Sequence, residues 1–228
     1  MEYTKSFCQG VSDKNGSAAG MTSDVVRKLQ SVISDRRTLF IGYDEDILNA
    51  SDNGKLYCAI PKTFSEKVPW PKIRPFKTVA VDVNSLPFAD ETFEIVVANH
   101  CFEFGDRNIN FLNEIFRVLK QDGKAVTTVI NGRNLNRKLF PGKIRSPGEI
   151  ISDMNSVSFR ISNIWGTNRK SRLLSYDFDC NKNKMSELLL FFFHLLSDVM
   201  VITADKTDEA PEAIRFFDGI LGEKYGTI

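Results

Sequence analysis

The residues from which this chain could build chemistry are two histidines, four cysteines and a run of cations after one apolar segment. Cys8, Cys58, Cys101 and Cys180 are widely spaced and form no C-x-x-C pair, and only His100 and His194 accompany them. The spacing therefore predicts neither a metal site nor a disulfide framework. His100 is the one candidate base, because imidazole is the side chain that exchanges protons near neutral pH. A hydrogen-bonded structural histidine is the alternative, and it stays open. Cys101, next to it, has no separate base to make it a nucleophile and reads as a buried thiol. The cations lie in NGRNLNRKLFPGKIRSPGEI, where Arg133, Arg137, Lys138, Lys143 and Arg145 could hold an acidic substrate through charge-assisted hydrogen bonds. The plainer reading of that segment is a solvated loop. No dyad suited to a protease or a phosphotransferase is present, which counts against both.

The elements that must position these residues centre on Lys77 to Asn131. Thr78 to Val83, Ile95 to Ala98 and Ala125 to Ile130 are continuous apolar runs, as expected of strands covered on both faces in a parallel sheet. Between the second and third, Ile109, Leu112, Ile115, Phe116 and Leu119 recur at helical spacing. Asp106 or Asn108 is expected to cap that helix, and Gly123 to end it as the left-handed residue. Strand, crossover helix and strand predict a right-handed βαβ unit. The fold class is α/β: a Rossmann-like, mostly parallel sheet with helices on both faces.

Elsewhere, Thr22 or Ser23 caps a helix that buries Val25, Val26, Leu29, Val32 and Ile33. Thr38 to Tyr43 is the first strand, Lys55 to Ile60 the second, and Phe159 to Trp165 the sixth. Pro147 opens a helix to about Met154, and Val199 to Ala204 is the last strand. The span 169–183 is expected to be irregular. Leu188 to Leu196 is too short to cross a bilayer as a helix. It reads as a buried helix, with dimer or membrane-surface contact as alternatives.

The succession VDVNSLPFADETFEIVVANHCFEF, followed by NEIFRVLKQDGKAV, resembles class I S-adenosylmethionine (SAM)-dependent methyltransferases of the type-11 kind. The points of likeness are Asp82, then Leu86-Pro87-Phe88, then Asp90 to Glu94, then Glu114 with Arg117-Val118-Leu119-Lys120 and Asp122-Gly123. Gly42-Tyr43, Ile60-Pro61, Trp70-Pro71 and Asn131-Gly132-Arg133-Asn134 further resemble an alphaproteobacterial subgroup with a degenerate glycine-rich cofactor loop. The likeness runs from about Leu39 to Lys206. It implies seven strands with the last antiparallel between the fifth and sixth, SAM as cofactor, and a small molecule or a protein as methyl acceptor. By that resemblance Gly42, Tyr43, Asp82, Val83 and Asn99 contact the cofactor, Asp82 at the adenine edge, while Arg133 and Arg137 hold the acceptor.

Two departures from that pattern matter. The loop after the first strand keeps only Gly42, and Tyr43, Asp44 and Glu45 bring bulk and negative charge where the cofactor carboxylate would lie. The second strand ends in Ile60-Pro61-Lys62, where an acid would grip the ribose hydroxyls. The resemblance therefore implies a SAM-dependent methyltransferase of undefined acceptor, with a catalytically silent fold acting as a binding or scaffolding subunit as the alternative. No G-x-G-x-x-G follows any strand, which argues against a dinucleotide-dependent oxidoreductase.

Composition sets the outer bounds. With 228 residues at 42% hydrophobic content the chain suits one domain. The expected division is a flexible leader over 1–21, the methyltransferase-like domain over 22–206 and a tail over 207–228. A net charge of +1 gives no general attraction to nucleic acid or to an anionic membrane. Neither a transmembrane segment nor a signal peptide is expected, and the cysteine usage fits a cytoplasmic setting. A homodimer or a partner protein is compatible with the apolar run.

Overall fold

The computed structural model describes residues 23–42, 44, 47, 54–62, 77–102, 109–131, 145–167, 175–180 and 197–207. The leader, the tail beyond Thr207, the Trp70 loop, Tyr43, the caps at Thr22, Asp106 and Asn108, the Arg133–Arg137 loop and the 188–196 run with His194 lie outside them.

Eight strands form one sheet: β1 (Thr38–Ile41), β2 (Leu56–Pro61), β3 (Lys77–Val81), β4 (Phe93–Asn99), β5 (Leu119–Ile130), β6 (Phe159–Thr167), β7 (Tyr176–Asp179) and β8 (Val199–Lys206). Their order is β3-β2-β1-β4-β5-β8-β6-β7. The first five in that order are parallel, while β8 runs antiparallel between β5 and β6. The antiparallel last strand stands as expected. The count of seven does not, because β7 adds an eighth strand, antiparallel on the edge of β6. Its Tyr176-Asp177-Phe178 alternates buried and exposed as a short edge strand should, but the polar setting hid that signal.

Both faces of the sheet are covered, which accounts for the unbroken apolar runs. Leu39 and Ile41 of β1 point into one cluster with Val96, Ala98 and Val129. Helices α2 (Ile109–Val118) and α3 (Pro147–Ser156) close that face with Phe111, Leu112, Ile115, Ile150, Ile151 and Met154. Phe40, one residue out of phase, points to the other face, where Val25, Leu29 and Ile33 of α1 (Ser23–Ile33) cover Leu56, Ile95 and Val97. Ser146 and Glu149 form a reciprocal capping box at the start of α3, with Pro147 in its first turn.

The end of α2 differs from expectation. Its buried face is Phe111, Leu112, Ile115 and Val118, with Ile109 and Phe116 only half-buried beside it. Gly123 does not end the helix and is not left-handed; the left-handed residue is Asp122, at φ 60°. The helix stops because the Arg117 and Val118 carbonyls accept the N–H groups of Glu91 and Thr92, 3.0 and 2.9 Å away. Leu119 then pairs with Phe93 and Lys124 with Ile95, so the residues between them bulge out of the ladder. Gly123 is needed there for space: a Cβ would lie 2.7 Å from the Lys120 carbonyl oxygen. Lys206, almost wholly buried, steadies the same corner by donating to the Leu119 carbonyl at 2.8 Å with its ammonium 4.6 Å from the centre of the Phe116 ring.

Candidate functional site

Strand order reverses between β1 and β4, and in an open α/β sheet the crevice at the carboxyl ends of such a pair is where ligands sit. The register sets Ile41 beside Ala98 and Ala98 beside Thr127, so Gly42, just past β1, and Asn99, the last residue of β4, lie level with Thr128, which is still inside β5. Gly42 has φ 119°, a conformation open to glycine, and an added Cβ would lie 3.0 Å from the Asn99 carbonyl oxygen. Its N–H donates to the Ala59 carbonyl at 2.9 Å. Close approach of two backbones, with no side chain on one of them, is the feature this crevice is built around.

Asn99 is buried, and its Oδ1 accepts the Thr128 hydroxyl at 2.6 Å. His100 follows with φ 53°, unusual for a residue with a Cβ, and its backbone N–H donates to the Thr128 carbonyl oxygen and hydroxyl, each at 3.1 Å. The chain thus turns sharply as it enters the crevice. Cys101 comes next, half-buried, with its Sγ 3.3 Å from the Asn99 carbonyl oxygen and 3.6 Å from that of Ile41. On β2, one strand beyond β1, the Cys58 thiol is buried, and burial pushes its pKa up to about 12, which removes it as a nucleophile.

Beyond β3, Asp82 is exposed and its Oδ1 accepts the Asn84 N–H at 2.9 Å, while the Ser85 N–H reaches its carbonyl at 3.1 Å. This tight turn holds the carboxylate at the rim. Val83 is half-buried against the α2 face of the core. β2 contributes the buried Pro61 and then the exposed Lys62.

Asp44 shows what happens where β1 enters its crossover. Its Oδ1 accepts the backbone N–H of Ile47 at 3.0 Å. The Ile47 side chain is fully buried with Phe40 and Ile60, so the donor it carries is anchored. A backbone donor leaving the first strand is a natural seat for a ligand anion, and here the chain's own carboxylate takes it. An Asp three residues ahead of an anchored apolar position is a capping signal.

Of the residues expected to meet a cofactor, Gly42 and Asn99 come together at the switch point, with Asp82 and Val83 beyond β3; Tyr43 lies outside the described residues. The acceptor-site candidates Arg133 and Arg137 lie outside them too. Arg145 does not belong with the solvated cations. It is buried, its Nη2 pairs with Asp153 Oδ2 at 2.5 Å, and it tethers the first two turns of α3.

The remaining motif residues form a structural unit. Arg117 donates to the Leu86 and Phe88 carbonyls at 3.0 and 2.8 Å and pairs with Glu114 and Asp90. Glu114 in turn accepts the Leu86 N–H at 2.7 Å. Hydrogen bonding from Arg117 holds the Glu114 carboxyl below the usual carboxylate range, against the opposing effect of its partial burial. The Leu-Pro-Phe turn, the Asp90 turn and the Glu-x-x-Arg of α2 are therefore one hydrogen-bonded corner, which is why they occur together in the sequence.

Comparison with known proteins agrees with this architecture. A methyltransferase-domain family model matches residues 56–127. A SAM-dependent methyltransferase of Thermotoga maritima superposes with a TM-score of 0.58 at 15% identity, covering 80% of this chain and 87% of that one. The cyclase SpnF superposes with a TM-score of 0.53, also at 15% identity, over 80% and 78% of the two chains. An uncharacterised protein of Methanocaldococcus jannaschii is 28% identical over 85 residues, 37% of this chain and 41% of that protein. The match thus spans less than half of that relative's length. The fold is the Rossmann-like α/β fold of SAM-dependent methyltransferases. No described helix is long and apolar enough to cross a membrane, and no described cluster of His, Cys, Asp or Glu could hold a metal ion.

Proposed function

We propose that this chain is a SAM-dependent methyltransferase acting on a small-molecule or protein acceptor. The observation that carries the reading is the switch point itself, where Gly42 presses against Asn99 and leaves a backbone surface a Cβ would close. The family match across β2 to β5 supports it. Bound SAM supplies a methyl group on a sulfonium, an already activated carbon.

The adenosyl part of SAM fits these residues. Asp82, held at the rim by the Asn84 N–H, takes the adenine edge, and Val83 offers it an apolar contact. Gly42, with no Cβ, lets the ligand near β1, Tyr43 follows it in the sequence, and Asn99 would stand near its sulfonium. The amino-acid carboxylate fits less well, because Asp44 already holds the Ile47 N–H. In this reading His100 takes a proton when the acceptor carries one, and Arg133 and Arg137 hold an acidic acceptor. A cytoplasmic setting, a catalytic body over 22–206 and kinship with the alphaproteobacterial subgroup belong to the same reading.

A second reading, a catalytically silent fold serving as a binding or scaffolding subunit, is favoured by one pair of observations: Asp44 on Ile47, and Lys62 where a ribose-gripping acid would stand. The match to a cyclase is a reminder that this fold supports other reactions. Calorimetric titration of the purified chain with SAM and with S-adenosylhomocysteine separates the two, with Asp82→Ala as control. Saturable binding weakened by that substitution supports the methyltransferase. A folded protein that binds neither ligand is the scaffold.

A further inference from the structure

We propose that Asn99 selects the methyl acceptor: its amide offers the reacting atom a hydrogen-bond donor, so the acceptor is an oxyanion, a carboxylate or phenolate, and not an amine. The inference rests on the reading of the crevice as an adenosyl site with Asn99 near the sulfonium, and it names the substrate class of that site.

The amide has two ends, and the fold uses one of them. Thr128 is fully buried, so its hydroxyl hydrogen needs an acceptor, and Asn99 Oδ1 is the one it has, at 2.6 Å. The hydroxyl oxygen meanwhile accepts the His100 N–H at 3.1 Å, which holds the hydroxyl in that direction. With Oδ1 taken, Nδ2 is the end left over, and no described residue accepts a hydrogen bond from it. Asn99 is only 8% exposed, yet Nδ2 is not one of the described polar atoms sealed in without a partner, so the amide opens at that atom. The opening lies beside Gly42, where an added Cβ would stand 3.2 Å from that of Asn99. A nearly buried donor next to a gap that glycine keeps empty calls for an oxygen.

The chemistry of transfer narrows the choice further. A lone pair of the acceptor forms the bond to the methyl carbon while the sulfur–carbon pair returns to sulfur, leaving the thioether. An amine has one lone pair: given to Nδ2–H it cannot attack, and given to the methyl carbon it leaves the donor unpaired in a closed site. A carboxylate or phenolate oxygen has lone pairs for both. The hydrogen bond also favours the ionised form of the acceptor, which attacks with no proton left to remove.

The test uses ligands that place an acceptor or a donor where the methyl group would lie. S-adenosylhomocysteine sulfoxide, as the epimer whose oxygen replaces the methyl group, offers an acceptor there, and sinefungin offers an ammonium. Each is titrated calorimetrically into the full chain and into two variants whose fold circular dichroism verifies. Asn99→Asp keeps an oxygen for the Thr128 hydroxyl and turns the donor into a second oxygen, while Thr128→Val frees the amide to turn. The wild type should bind the sulfoxide about tenfold more tightly than sinefungin. Asn99→Asp should reverse that preference, and Thr128→Val should bring the two ligands close to parity. A wild type that prefers sinefungin, or a preference that a folded variant leaves unmoved, overturns the inference while the adenosyl site stands. S-adenosylhomocysteine is titrated alongside: if it alone binds, the inference fails and the site remains, and if none of the three binds the folded wild type, both fall.

Discussion

The Thr128 hydroxyl donates to Asn99 Oδ1 at 2.6 Å and ties the carboxyl ends of the two central strands together under the crevice. Both residues are buried, so neither group has water to fall back on. The same hydroxyl accepts the His100 N–H, which fixes the left-handed turn that His100 adopts.

Thr128→Val keeps the shape and deletes the hydroxyl, leaving Asn99 Oδ1 short of a donor. A loss of about 1–3 kcal/mol is expected. Urea unfolding reads it as a lower midpoint at unchanged slope. An unchanged midpoint would mean that Asn99 finds another donor.

Arg117 and Glu114 make part of the stability depend on pH. Because the folded Glu114 pKa is depressed, its contribution is present above the unfolded value, about 4.3 for glutamate, and is lost as pH falls through the folded value. Replacing Arg117 by Met strands the Leu86 and Phe88 carbonyls and should cost roughly 2–3 kcal/mol near neutrality. The penalty should shrink as pH drops below about 4. Unfolding midpoints of both proteins across that range measure it.

Gly166 lies under the Tyr176 ring, and a Cβ there would come within 2.4 Å of it. Gly166→Ala should therefore destabilise by about 1–3 kcal/mol through overpacking at the β6–β7 edge. Since the clash is with one side chain, Gly166→Ala combined with Tyr176→Ala should cost less than the sum of the single changes. Strict additivity would place the strain in the backbone instead.

Cys58 is fully buried, with a thiol pushed up to about 12. A thiol reagent at pH 8 should leave it unlabelled in the native protein and label it readily in urea, with mass spectrometry locating the site. Labelling at native rates would show that the β1–β2 face opens.

The parallel core was legible in the sequence because strands covered on both faces carry unbroken apolar runs, as β1, β4 and the Ala125–Ile130 stretch of β5 do. The motif block from Asp82 to Lys124 was legible too, although its reason was hidden. Glu114 is one helical turn from Arg117, but Leu86, Phe88 and Asp90 lie 27 to 31 residues before it, and only folding brings them onto its guanidinium.

What the tertiary structure decided was local and depended on partners. Glycine commonly ends helices, so the sequence points to Gly123 for the end of α2, whereas donors from the Asp90 turn end it and Asp122 takes the left-handed position. In the sequence Arg145 is one more loop cation; in the fold Asp153, two turns along α3, pairs with it in the interior. β7 escaped notice because an edge strand of four residues needs β6 beside it before its alternation means anything. Asp44 is the sharpest case. Its charge was plain from composition, but whether that charge waits for a ligand or is spent on the chain's own Ile47 N–H is a matter of three ångströms, which a sequence does not record.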